Sequence, residues 1–252
     1  MSKWLILLLL IVTIFPSMYL RAQDIPTLMQ QGAALERSFR DQEALSKYSE
    51  VLEKDPANVT ALCKVSQLYN VLGKRQPTKE KQKEYYIKAL NYATLALKDA
   101  PNNSEANFSM AMSKGRIALV SSGEEKIRAI KEVKAYADKC IQLDPQNFKG
   151  YHVLGKWYYE VSDLNFLEKW LVKTMYGSLP DATLMDAIRC YEKSRQLNPS
   201  FLLNYLELAK AYKRNEEDDK ARRLLQQLQV LPPTASDDPK IKALGKKMLD
   251  DL

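Results

Sequence analysis

Glycine is scarce in this chain, with eight in 252 residues. A many-stranded β fold needs turn residues at each reversal, so the shortage, beside abundant Ala, Leu, Lys, Glu and Gln, puts an all-helical fold first. Histidine is scarcer still: His152 stands alone. One histidine cannot supply an HExxH zinc helix, and the GxSxG, GxGxxG and GxxxxGK[ST] signatures are missing too. The adjacent carboxylates Asp218 and Asp219 fall in a charged turn with nothing apolar beside them to raise a pKa. These absences describe a protein that is not an enzyme and holds no cofactor and no metal. Cys63, Cys140 and Cys190 form no CxxC pair, and each sits in an apolar helical pattern. Small buried hydrophobes are expected there, with a single disulfide left open.

Long apolar runs are missing as well, except at the N-terminus. There Lys3 precedes an unbroken apolar run from Trp4 to Phe15, followed by the helix breaker Pro16 and the small residue Ala22. We read residues 1–22 as an export signal cut after Ala22, which would make the protein an exported one, periplasmic if the source is bacterial. The alternative is an uncleaved membrane anchor over residues 4–20, at the short edge of a bilayer span. Cleavage would remove Lys3 and Arg21, two of the 38 basic residues, and leave 36 against 31 acidic ones, a net charge of +5.

What is present is a repeat. Five segments, starting at Ala44, Ala89, Val133, Ala187 and Ala221, carry small or apolar residues four and seven positions on and a proline twelve positions on. The prolines, at 56, 101, 145, 199 and 233, are spaced 45, 44, 54 and 34 apart. The last gap equals the tetratricopeptide period of about 34 residues, and this is the closing helix and stop signal of that repeat. Counted from these prolines, Gly32, Ser66, Ala111, Gly155 and Ala209 share one register position, where paired helices must approach closely. The fold class is therefore all-α: a right-handed tetratricopeptide-like α-solenoid of five helix pairs over residues 23–252, closed by a charged capping helix over 237–252.

Such arrays bind partners along the concave surface made by the first helix of each pair. The inward register positions carry seven cations against three anions. The candidate groove comprises Phe108, Met112, Arg116, Lys149, His152, Lys156, Tyr159, Lys210, Lys213 and Arg214. Met29, Phe108 and Met112 would make one end apolar, and the cations of the last two repeats would make the other end positive. A protein or peptide partner is the first expectation, and an amphipathic anionic lipid is the alternative. Nucleic acid is not expected, because an exported protein seldom meets it and because the most basic run, residues 73–86, contains two glutamates and reads as a solvated loop leading into a helix.

One stretch departs from the repeat. Residues 161–177 place Leu164, Leu167, Trp170, Leu171 and Met175 at helical spacing, an extra amphipathic helix inside the fourth repeat. Ser178 and Asp181 then have capping-box spacing around Pro180, which predicts that the repeat's second helix restarts there. The insertion is expected to fold over one end of the groove as a lid, or to brace the outside.

The stretches HVLGKWYYEVSDLNFLEKW, YGSLPDAT and DAIRCYEKSRQLNPSFLLNYLELAKAYK resemble the regulator of microtubule dynamics protein family. The resemblance implies a tetratricopeptide-like domain with this long fourth-repeat insertion. It also implies membrane proximity and, from one member of the family, binding and transfer of phospholipid. Microtubule association gave the family its name. The chain departs from those relatives at its N-terminus, which reads as an export signal with no long linker or coiled coil before the repeats.

Overall fold

A computed structural model describes residues 24–164, 173–174 and 181–252. The export segment, and Leu167, Trp170, Leu171 and Met175 of the insertion, lie outside the described residues.

Among the described residues the regular structure is helical. Helix α1 covers residues 24–37, and α2 is Asp41–Lys54. The second pair is α3 (Val59–Lys74) and α4 (Lys79–Asp99), and the third is α5 (Ser104–Val120) and α6 (Gly123–Leu143). Helix α7 (Phe148–Ser162) pairs with α8 (Leu184–Leu197), and α9 (Leu202–Arg214) with α10 (Asp218–Val230). Helix α11 (Asp238–Asp250) ends the chain. The all-α solenoid of helix pairs is as the periodicity required. The gaps that exceed the repeat period by about ten residues are spent on longer helices: α4 and α6 each have 21 residues, against 14 in α2 and 13 in α10.

The same short motif ends one pair and starts the next. Two residues after each of Pro56, Pro101 and Pro145 stands an asparagine whose side chain caps the following helix. Asn58 accepts from the amide of Ala61, Asn103 from that of Ala106 and Asn147 from that of Gly150. Each cap contributes about 1 kcal/mol by satisfying an otherwise orphaned donor.

Within a pair, small residues admit large rings. A Cβ on Gly32 would lie 2.7 Å from the Tyr48 ring, and one on Gly155 would lie 2.8 Å from the Tyr191 ring. Ser66, Ala111 and Ala209, at the same register position, are fully buried. The first helices of successive pairs pack more closely on one another than the second helices do, so α3, α5, α7 and α9 lie on the inside of the curve.

The curvature brings the two ends of the array together. Arg75, just past the end of α3, pairs with Asp41 at 2.7 Å and with Asp237 at 2.9 Å, and Lys74 pairs with Asp237 at 3.0 Å. Ser236 bonds both Arg75 and Asp41. These partly exposed pairs contribute little to stability singly, but they span the array. Arg75→Glu is expected to increase the radius of gyration in small-angle scattering with little change in the melting temperature. An unchanged radius would show that packing alone holds the ends together.

The fourth pair corrects the sequence reading. Helix α8 starts at Leu184, and its capping box is Thr183 with Asp186; Ser178 and Pro180 of the expected restart lie outside the described residues. Asp181 lies in non-helical chain ahead of the helix. Ala182, just ahead of the cap, packs against the cluster of Val133, Trp157 and Val161. Val161 and Ser162, assigned to the insertion from sequence, close α7 instead.

Candidate functional site

The inner face is built from half-buried polar side chains that bridge one inner helix to the next. Glu36 of α1 accepts from Lys64 of α3 at 2.8 Å and from the Tyr48 hydroxyl at 2.7 Å. Gln67 of α3 donates to Glu105 and Ser109 of α5. Glu105 in turn takes Lys149 of α7 at 2.7 Å and Asn147 at 3.0 Å. Lys156 of α7 meets Glu207 of α9 at 2.9 Å, and Lys210 meets the other oxygen of Glu207 at 2.6 Å.

Glu207 is only 7% exposed. Burial alone would raise its pKa, but Lys156 and Lys210 more than offset this and bring it down to about 2. The residue was absent from the inward positions read from sequence, although its spacing of three from Lys210 was visible there. The positive end of the groove is therefore largely neutralised: Lys149, Lys156 and Lys210 spend their charge on Glu105, Glu160 and Glu207. Arg214 stacks 3.9 Å from the Tyr159 ring, donates to the Tyr159 carbonyl and the Ser162 hydroxyl, and pairs with Asp163. It pins the base of the insertion to α9.

The apolar end also differs from expectation. Phe108 is buried, with the Lys149 ammonium 4.9 Å from the centre of its ring. Met29 packs into the core with Leu45, Tyr48 and Val51. Met112 alone of the three stays half-exposed without such a cover. Of the five insertion residues, Leu164 is described, and it packs against Val133, Trp157 and Val161.

His152 is wedged between the rings of Tyr191 and Phe201, 5.5 and 4.9 Å between centroids. The Asn204 amide nitrogen donates to the Tyr191 carbonyl, which leaves its oxygen, 2.9 Å from His152 Nδ1, to accept from the Nδ1–H tautomer. Burial lowers the histidine pKa to about 4, with Asn204 and Glu207 opposing. The unfolded chain takes up this proton near the ordinary value of 6.5. Stability from the neutral ring is thus complete above about pH 6.5 and is lost as pH falls toward 4, by roughly 3 kcal/mol at most. An NMR titration of the imidazole should give a midpoint near 4, and a midpoint near 6.5 would contradict this packing.

Cys63 and Cys140 are buried, Cys190 is partly buried and all three are free. Burial raises their thiols to about 11, 11 and 12, so none is an activated nucleophile.

A sequence model described as regulator of microtubule dynamics protein 1-3 matches residues 28–252. The chain belongs to that family. Mouse regulator of microtubule dynamics protein 3 is 26% identical over 178 residues, which cover 70% of this chain and 38% of the mouse protein. Regulator of microtubule dynamics protein 1 of Caenorhabditis elegans is 26% identical over 170 residues, 68% of this chain and 75% of the worm protein. The chain thus spans about two fifths of the length of the mouse relative. The crystal structure of a tetratricopeptide-repeat protein from Thermus thermophilus superimposes with a TM-score of 0.66 at 12% identity, covering 88% of this chain and 99% of that one. At that identity it establishes the fold alone. Among the described residues no helix is long and apolar enough to cross a membrane, and residues 4–20 lie outside them.

Proposed function

We propose that this chain is a non-catalytic adaptor that holds a polypeptide against its inner face. The observation that carries the reading is the ladder of inter-helix polar bonds from Glu36 to Lys210. It ties five inner helices into one continuous surface with half-exposed side chains such as Met112 along it. The relatives' name, regulators of microtubule dynamics, fits a protein that acts by binding. Export through residues 1–22 belongs to the same proposal, and N-terminal sequencing of the secreted or periplasmic protein, beginning at Gln23, would support it.

The test is purification of the full chain under native conditions, with analysis of both polypeptide and organic extract by mass spectrometry. A stoichiometric polypeptide, lost when Met112 on the inner face is replaced by arginine and kept when the outer-face Leu95 is so replaced, supports the adaptor. Phospholipid at near one per chain with no polypeptide overturns it in favour of a lipid carrier.

A further inference from the structure

Charge on the inner helices is unevenly satisfied. Five acidic side chains lie on α1, α3, α5, α7 and α9, namely Asp24, Glu36, Glu105, Glu160 and Glu207, and each is ion-paired. The same helices carry ten Lys and Arg, and three of them, Arg37, Arg116 and Lys213, have no hydrogen-bond or ion-pair partner among the described residues. The three are not scattered. Arg37 is the last residue of α1, Lys213 the next to last of α9, and Arg116 stands four before the end of α5. The inner helices run parallel, so these side chains share one rim of the concave face, from the first repeat to the last.

The rim already shows its preference. Between Arg37 and Arg116, at the end of α3, the rim cations Lys74 and Arg75 are taken up by an acidic stretch of the chain itself, Ser236 and Asp237. Resting on the reading that the inner side is the partner surface, we propose that this rim recognises an acidic segment of a partner polypeptide, with its carboxylates on Arg37, Arg116 and Lys213. Arg116 is the anchor: it is half-buried, so a carboxylate reaching it is partly shielded from water, whereas Arg37 and Lys213 are exposed and steer the approach.

Fluorescence anisotropy of the full chain with a labelled Glu–Ser repeat peptide tests this, with a Lys–Ser repeat as its counterpart. The acidic peptide should bind, more weakly as salt is added, and the triple variant Arg37→Glu, Arg116→Glu, Lys213→Glu should weaken binding by about tenfold or more. Arg116→Gln alone should weaken it in the same direction, which keeps the test open if the triple variant does not fold. Arg128→Glu with Arg223→Glu, on the outer helices, should change nothing. Equal binding of both peptides, or acidic binding that survives in the variants, overturns the inference while leaving the adaptor reading standing. Binding of neither peptide, with phosphatidylserine vesicles bound instead and released by the triple variant, overturns both.

Discussion

Gly155→Ala lowers the stability of the fold by about 3 kcal/mol, a large loss for a single methyl group. The added Cβ falls 2.8 Å from Tyr191 Cδ1 and 2.9 Å from Cε1. The ring cannot yield, because Tyr191 is fully buried, with Ala187, Leu208 and Ala209 in the same core. Relief therefore requires α7 and α8 to move apart, which opens the packing of the fourth pair. Gly115 supplies the control. A Cβ there meets only Val133 Cγ2, at 3.8 Å, an ordinary contact. Because alanine is the better helix former, Gly115→Ala is expected to stabilise by up to about 1 kcal/mol. Urea unfolding of the two variants reads the difference directly. Losses of equal size would mean that the close approach at Gly155 is not what sets helix spacing.

Glu207→Leu costs about 3 kcal/mol or more, although leucine is the more hydrophobic residue. The substitution removes the charge that Lys156 and Lys210 share in a nearly water-free position, and Lys210 has no other acidic partner there. The acid dependence carries a second signature. The folded pKa of Glu207, about 2, lies below the ordinary 4.5, so its contribution is complete above about pH 4.5 and is lost as pH falls toward 2. His152 loses its contribution in the higher window, between about 6.5 and 4. Stability should therefore fall in two stages as pH is lowered. Glu207→Leu is expected to shrink the lower stage, to which Glu105, Asp186 and Asp237, also held below their ordinary range by their partners, contribute, and His152→Asn removes the upper one. A single stage in the parent protein would contradict the separation of the two groups.

The repeat was legible because its signals are local. A proline stop, an asparagine two residues later and a small residue at a fixed phase each have a short-range cause, and helices α1 to α10 follow from them. The site was legible only in part. Lys149, Lys156, Lys210 and Arg214 were found on the inner face by register. The pairs Lys156–Glu160 and Lys210–Glu207 each lie within one helix and their spacing is visible in the sequence, but Lys149–Glu105, Lys156–Glu207 and Arg214–Asp163 depend on the offset of one repeat against the next, which no single repeat reveals. Phe108 and Met29 read as groove for the same reason: their register points inward, but Lys149 covers one and the first helix pair encloses the other. The restart of the fourth pair was placed a few residues early because two pairs of residues with capping-box spacing lie close together in the sequence, and spacing alone does not choose between them; the helix starts at Leu184, capped by Thr183 with Asp186. The closure of the array by Asp41, Arg75 and Asp237 joins residues more than a hundred positions apart, beyond the reach of any periodicity.

The most direct test of the central claim, that the inner face is the surface that holds a partner, is site-specific photo-crosslinking. A benzophenone amino acid is placed in the full chain either at Met112, half-exposed on the inner helix α5, or at Leu95, exposed on the outer helix α4. The account predicts one polypeptide crosslinked from Met112 and released by Arg116→Glu, with none from Leu95. Crosslinks from Leu95 but not from Met112 would place the partner on the outside of the solenoid and contradict it.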